Sequence, residues 1–98
     1  MGLGIRPDEL KELLKSASLL LVDVRRRIDY DADPETIPGA SWRDPERIED
    51  WVHELPREMR VVVYCVKGGA VSQATAAALV NKDIDARYLE GGLKAWKE

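Results

Sequence analysis

Cys65 is the single cysteine of the 98-residue chain, and it lies where a buried-strand pattern gives way to a glycine-containing loop. Residues 60–65 read Arg-Val-Val-Val-Tyr-Cys, a β-branched run that predicts a strand ending at the sulfur. A helix-forming run follows the loop at once. Loop amides and a helix N-terminus both favour negative charge, and they favour the thiolate, which is the reactive form of cysteine. These residues therefore predict an anion site with a nucleophilic sulfur at its floor.

The loop after Cys65 decides between a catalytic cysteine and a core cysteine that packs as a small apolar group. Gly68 and Gly69 favour the catalytic interpretation, because paired glycines let backbone amides point inward without a clash of Cβ atoms. Lys67 is the only charged residue of the loop. It can steer an anionic ligand or remain a solvated side chain, and both interpretations stay open.

Composition excludes several classes of function. The formal charge of −3 argues against nucleic acid as a partner, since there is no basic surplus to hold phosphates. A lone cysteine forms no internal disulfide and no Cys-based zinc site, which suits a reducing compartment. No apolar run approaches the length of a membrane span, and the N-terminus lacks the apolar core of a signal peptide. We therefore expect a cytoplasmic protein that does not bind membranes.

No metal site is expected. His53 lies off the apolar stripe of a predicted helix, so we interpret it as a solvated residue. Pro34 and Ala40 stand where a calcium-binding loop needs glycine and a bidentate glutamate. Calcium is therefore rejected, although three acids imitate the start of such a loop: Asp29, Asp31 and Asp33.

Helix and strand patterns alternate along the first half of the chain. Pro7 begins a predicted helix with acids in its first turn, where the helix dipole favours them. Its apolar stripe follows at helical spacing: Leu10, Leu13, Leu14 and Ala17. Residues 19–24 are a continuous apolar run, typical of a strand buried on both faces, and residues 25–39 carry turn signals. Asp44 is predicted to cap a helix that begins at Pro45 and stops before Pro56.

The second half continues the alternation and indicates the fold class. A strand over 61–64 is followed by a helix over 72–81 with Ser72 as its cap, then by a strand over 85–89 and a terminal helix. Strands separated by helices predict right-handed crossovers. We therefore expect an α/β fold over residues 1–98, one domain with a small parallel sheet of about five strands and helices on both faces. Ligands of such folds bind beyond the carboxyl ends of the strands, where Cys65 falls.

Four segments in this order resemble those of a single-domain rhodanese, and the resemblance covers nearly the whole chain. They are Asp23-Val-Arg25, Ile37-Pro-Gly-Ala40, residues 61–65 with their glycine loop, and Leu89-Glu-Gly-Gly92 with Ala95-Trp96. The segments 44–46, 65–68 and 71–73 also resemble those of rhodanese-like domains associated with chromate resistance.

The resemblance implies a rhodanese-like fold and sulfurtransferase chemistry without a metal or organic cofactor. Cys65 would take a sulfane sulfur from a small anionic donor such as thiosulfate and carry it as a persulfide. A thiophilic acceptor, either cyanide or a thiol such as a protein thiol, would then receive the sulfur. Arg25 is a candidate at the rim of the site, although a structural role beside Asp23 is favoured. The expected cradle around the sulfur consists of Val66, Lys67, Gly68, Gly69, Ala70 and Val71.

Two departures from the family pattern keep alternatives open. Ala70 stands where many rhodaneses carry an arginine, and Ser72 lies seven positions after the cysteine rather than six. The longer loop resembles those of dual-specificity phosphatases and arsenate reductases, but Val71 stands where those enzymes place their arginine. That class ranks low because loss of an oxyanion donor costs about 100-fold or more in rate. A third possibility is a binding or regulatory module whose pocket no longer turns over.

Overall fold

The structure of the chain, a computed structural model, describes residues 2–16 and 19–98. Within these ranges the strands are β1 (Gly4–Ile5), β2 (Leu19–Asp23), β3 (Ser41–Trp42), β4 (Arg60–Tyr64) and β5 (Ala86–Leu89). The helices are α1 (Pro7–Ser16), α2 (Arg27–Ala32), α3 (Ile48–Trp51), α4 (Ala70–Val80) and α5 (Gly92–Lys97). Short 3₁₀ turns at Pro45–Arg47 and Val52–Glu54 flank α3. None of the described helices has the length and apolarity that crossing a bilayer requires.

The strands form one parallel sheet in the order β1-β5-β4-β2-β3. Strand β4 is central, and its residues Val61 and Tyr64 lie opposite Leu20 and Asp23 of β2. The predicted α/β fold with a small parallel sheet is confirmed. Because all strands point the same way, the loops that follow β2 and β4 meet at one edge of the sheet.

Helices cover both faces of the sheet, and the alternation of side chains along β4 shows how. Val61 and Val63 pack with α4 and with the helical segment around Trp51. Val62 and Tyr64 pack on the other face with Leu10 of α1 and with α5. These four side chains are fully buried, which explains why β4 has no charged residue after Arg60.

The region 25–39, predicted as turns, contains the helix α2. No residue of α2 is buried, and Ile28 is 75% exposed, so the segment has no apolar stripe from which a helix could be predicted. Instead the ring of Tyr30 stacks on Trp42, with ring centroids 5.0 Å apart. The sequence also does not predict the strands β1 and β3 individually, since two residues are too few to show alternation.

Two of the predicted helices differ from the structure. The helix predicted from Pro45 to before Pro56 is divided into a 3₁₀ turn, the four-residue helix α3 and a second 3₁₀ turn. The helix predicted over 72–81 begins two residues earlier, at Ala70. The Asp44 side chain accepts a hydrogen bond from the backbone N–H of Glu46, which confirms it as a cap, here of the 3₁₀ turn at Pro45–Arg47. The predicted stripe position Ala17 lies outside the described residues. Ser72, however, is wrong as a helix cap, because α4 begins at Ala70 and Ser72 lies fully buried in its first turn.

A buried ion pair holds the loop after β2. Arg25 and Asp23 are 2% and 0% exposed, and their side chains approach to 2.7 Å. The Arg25 guanidinium also donates to the backbone carbonyls of Asp33 and Glu35, at 2.7 and 3.1 Å. Burial alone would lower the pKa of Arg25, but the hydrogen bonds and negative charge of Asp23 raise it. The pair therefore connects the end of β2 to the segment that follows α2.

The loops that follow β4 and β5 pack backbone against backbone at two glycines. Gly68 has φ of +71°, and a Cβ there would lie 2.6 Å from the backbone nitrogen of Gly91. Gly92 has φ of +60°, and a Cβ there would overlap the carbonyl group of Cys65. Both positions require glycine because a side chain would separate the two loops.

Removing the charge of Asp23 should strongly destabilise the fold. Asp23→Asn leaves the buried Arg25 without its anion, and breaking a buried pair in this way costs about 3–5 kcal/mol of the free energy of unfolding. Urea denaturation measures this cost. Asp31→Asn, which breaks the exposed pair with Arg27, should change stability by less than about 1 kcal/mol. Equal effects of the two variants would contradict the structural role of the buried pair.

Gly92→Ala should destabilise the protein more than Gly39→Ala. Both glycines have positive φ, which costs an alanine about 1–2 kcal/mol, but no atom lies within 4 Å of a Cβ at Gly39. The difference between the two urea midpoints therefore measures the close contact of the loops alone. Equal midpoints would show that the loops separate at no cost.

Candidate active site

Cys65 lies immediately beyond the carboxyl end of the central strand and borders a pocket of about 260 Å³. The residue is 6% exposed. Arg26 and Asp29, which follow β2, also line the pocket. Five of the six predicted loop residues line it as well: Val66, Lys67, Gly69, Ala70 and Val71. Gly68 does not, because it lies against the turn after β5.

Ser72 contacts the sulfur directly. Its Oγ atom lies 3.1 Å from the Sγ atom of Cys65, and both side chains are buried. The thiol S–H can donate to this hydroxyl, and when the sulfur is an anion the hydroxyl can donate to it. Ser72 reaches the sulfur because α4 begins only four residues after the loop does, so its first turn faces back towards β4.

The backbone carbonyl oxygens of the loop after Cys65 accept hydrogen bonds from N–H groups of α4 and α5. Those of Cys65 and Val66 accept the N–H groups of Leu93 and Lys94, at 2.9 and 3.0 Å. These two donors belong to the first turn of α5, whose N–H groups have no partner within their own helix. The carbonyls of Gly68 and Gly69 accept the side-chain and backbone N–H groups of Gln73, at 2.9 and 3.2 Å.

The N–H groups of the same peptide units point in the opposite direction to these carbonyls, away from α4 and α5. The chain has no cis peptide among the described residues, and in a trans unit the C=O and N–H bonds are antiparallel. Within the described part of the chain, these N–H groups find no hydrogen-bond acceptor. They belong to Val66, Lys67, Gly69 and Ala70, and all four residues line the pocket. The arrangement can therefore stabilise an anion held near Cys65.

Arg25, predicted as a possible substrate contact, does not line the Cys65 pocket. Its guanidinium is engaged by Asp23 and by two backbone carbonyls, and it borders a neighbouring pocket of about 310 Å³ beside α5. Asp23 in turn accepts the backbone N–H of Arg25 at 3.0 Å, as expected for a residue that braces a turn. The structural interpretation of Arg25 agrees with these contacts.

Three residues at the site were not singled out from the sequence as contacts of the pocket: Arg26, Asp29 and Ser72. The position of Arg26 at the pocket follows from the register between β2 and β4, which places the residues after Asp23 beside Cys65. The contact of Ser72 with the sulfur could be predicted only with knowledge of the residue at which α4 begins. His53 is exposed and outside the pocket. Among the described residues, no group of three or more His, Cys, Asp or Glu side chains could hold a metal ion.

The chain is similar in sequence to proteins of one family. The Rhodanese-like domain family matches residues 6–98. The thiosulfate sulfurtransferase GlpE of Pseudomonas fluorescens is 32% identical over 92 residues, which cover 93% of this chain and 82% of that protein. The probable adenylyltransferase/sulfurtransferase MoeZ of Mycobacterium tuberculosis is 34% identical over 98 residues, but the chain spans only 24% of its length.

Solved structures agree with the sequence comparison. A rhodanese-like domain protein from Staphylococcus aureus superposes with a TM-score of 0.83 at 31% identity, covering 98% of this chain and 91% of that one. A rhodanese homologue from Thermus thermophilus has a TM-score of 0.75 at 38% identity, covering 94% of this chain and 98% of that one. With its parallel sheet, its loop after β4 and this agreement over nearly its full length, the chain belongs to the rhodanese-like domain family.

Proposed function

We propose that the chain is a sulfurtransferase that carries a sulfane sulfur as a persulfide on Cys65. The observation that carries this proposal is the position of the thiol beside four loop N–H groups that have no acceptor among the described residues. Relatives named thiosulfate sulfurtransferase support the choice of donor. An anionic persulfide suits such a cradle, because N–H groups that are already oriented need no reorganisation when charge arrives.

The first half-reaction needs no base or cofactor. The Cys65 thiolate attacks the outer sulfur of thiosulfate, so a bond forms between Sγ and that sulfur while the S–S bond of thiosulfate breaks. Its electron pair leaves with sulfite. The cysteine sulfur is oxidised, the sulfonate sulfur is reduced, and no proton moves. Ser72 and the loop N–H groups stabilise the anionic sulfur before and after transfer.

The second half-reaction returns Cys65 to a thiolate. Cyanide or the thiolate of an acceptor attacks the outer sulfur of the persulfide, and the electron pair of the broken S–S bond stays on Sγ. The products are thiocyanate or an acceptor persulfide. Arg26 and Lys67 line the pocket and are exposed, which leaves room for either acceptor, a small molecule or an exposed protein thiol.

Phosphate-ester hydrolysis or arsenate reduction is the weaker candidate. Val71 lines the pocket at the position where those enzymes place an arginine, and Ala70 beside it is also uncharged. The three equatorial oxygens of a transferred phosphoryl group would therefore lack a bidentate partner from the loop. The likeness to chromate-resistance domains stays a prediction from the sequence.

Sulfite release from thiosulfate in the presence of cyanide should occur with the native chain and fall to background in Cys65→Ser. After thiosulfate alone, mass spectrometry should show one added sulfur atom on Cys65 that a thiol reductant removes. Equal turnover of the native chain and the variant would overturn the proposal. An unreactive Cys65 would instead support a binding module, and Cys65-dependent turnover of an aryl phosphate would support a phosphatase.

Ser72→Ala should lower kcat/KM for thiosulfate by about 10-fold or more, the worth of one hydrogen bond to a charged group. Thr75→Val is the matched control, since it also removes a buried hydroxyl of α4, but one that donates to the Val71 carbonyl rather than contacting Cys65. Steady-state kinetics on both variants measures the difference. A loss of the same size in both would show that the Ser72 hydroxyl acts only through the packing of α4.

A further inference from the structure

We propose that Arg26 is the residue that selects anionic sulfur donors, replacing an arginine that the loop after Cys65 lacks. The inference rests on the proposed sulfurtransferase function and adds the recognition of one donor class, those in which the sulfane sulfur is attached to a sulfonate or a similar oxyanion. Arg26 borders the pocket that contains Cys65, and its side chain is exposed.

An anionic sulfur donor requires positive charge at the pocket, and the loop after Cys65 contributes only one cationic side chain. Thiosulfate carries two negative charges, and both leave with sulfite when the S–S bond breaks. Ala70 and Val71 are uncharged, so Lys67 is the only cation that the loop contributes to the pocket. Backbone N–H groups accommodate many anions, whereas a guanidinium offers a planar fork that matches two oxygens of one sulfonate.

The backbone that carries Arg26 is held from several sides. The N–H of Val24 donates to the Tyr64 carbonyl at 2.8 Å, which keeps this segment beside the strand that ends at Cys65. The Trp42 indole N–H donates to the Arg25 carbonyl at 2.8 Å, and the Arg25 side chain is locked by Asp23. The Arg26 carbonyl accepts the N–H of Tyr30 at 2.9 Å. Arg26 is thus an exposed side chain on a well-anchored backbone at the pocket.

Ion pairs around the site leave Arg26 available for a ligand. Arg25 is paired with Asp23, Arg27 with Asp31, and Lys97 with Asp33. Among the ion pairs of the described residues, none involves Arg26, Lys67 or Asp29, and all three line the Cys65 pocket. Two cationic side chains and one acidic side chain therefore interact electrostatically with any ligand in the pocket. Arg26 and Lys67 attract an anionic donor, and Asp29 opposes them.

Steady-state kinetics provides the first arm of the test. Arg26→Gln should raise KM for thiosulfate by about 3- to 10-fold, as expected for one charge lost at the edge of a partly solvated pocket. We expect kcat to change less than KM, and Arg26→Lys to recover part of the loss. Arg27→Gln is the matched control, because Arg27 is adjacent, 74% exposed and does not line the pocket.

Alkylation of Cys65 provides a second arm that needs no sulfur transfer. The chain has one cysteine, so the rates with iodoacetate, an anion, and iodoacetamide, which is neutral, report on Cys65 alone. The ratio of the anionic to the neutral rate should fall about 3- to 10-fold in Arg26→Gln and rise in Asp29→Asn. It should stay within about twofold in Arg27→Gln, and the effect of Arg26 should shrink at high salt.

The two arms separate failure of the inference from failure of the proposed function. A fall in the alkylation ratio without any sulfur transfer by the native chain would support anion selection by Arg26 and overturn the sulfurtransferase proposal. Full sulfur transfer with unchanged KM and ratio in Arg26→Gln would overturn the inference alone. An equal fall of the alkylation ratio in Arg27→Gln would also overturn the inference, since the effect would then come from general surface charge. Loss of the fold is not expected, because the Arg26 side chain makes no capping hydrogen bond to α2.

Discussion

The close contact between the loops after β4 and β5 is the constraint on which the site depends. The first turn of α5 donates N–H groups to the carbonyls of Cys65 and Val66, and this contact is possible only because Gly68 and Gly92 carry no Cβ. Since a trans peptide unit points its N–H opposite to its C=O, anchoring these carbonyls also orients the N–H groups of the loop. Electrostatic preorganisation near the sulfur is thus a consequence of packing between two backbones.

The second support of the site is the buried pair of Arg25 and Asp23. It joins the end of β2 to the backbone at Asp33 and Glu35, and the Tyr64 hydroxyl accepts the N–H of Ile37 at 3.0 Å in the same region. Burial raises the pKa of Tyr64, so this hydroxyl stays neutral and can serve as a fixed structural partner. No residue of α2 is buried, so polar contacts rather than apolar packing order this part of the segment between β2 and β3.

The lining of the pocket comes from elements that are far apart in sequence. The loop after β4 contributes the sulfur, the N–H groups and Lys67, whereas the segment after β2 contributes Arg26 and Asp29. A loop without its own arginine is therefore compatible with an anionic substrate, because a neighbouring strand end can present the guanidinium. This division lets the charge at the pocket change without altering the backbone that surrounds the sulfur.

The fold class, the central strands, the cap at Asp44 and the loop around Cys65 could be predicted from the sequence, because these depend on local signals: apolar runs, β-branched residues, capping side chains and glycines. The sequence did not reveal α2, whose residues have no apolar stripe, nor the contact between Ser72 and the sulfur, which follows from α4 beginning at Ala70. That Arg26 rather than Arg25 borders the pocket follows from tertiary packing and could not be predicted from the sequence. Nothing in the sequence distinguishes the roles of the adjacent residues Arg25 and Arg26. They differ because Arg25 is buried in an ion pair with Asp23, whereas Arg26 lines the pocket.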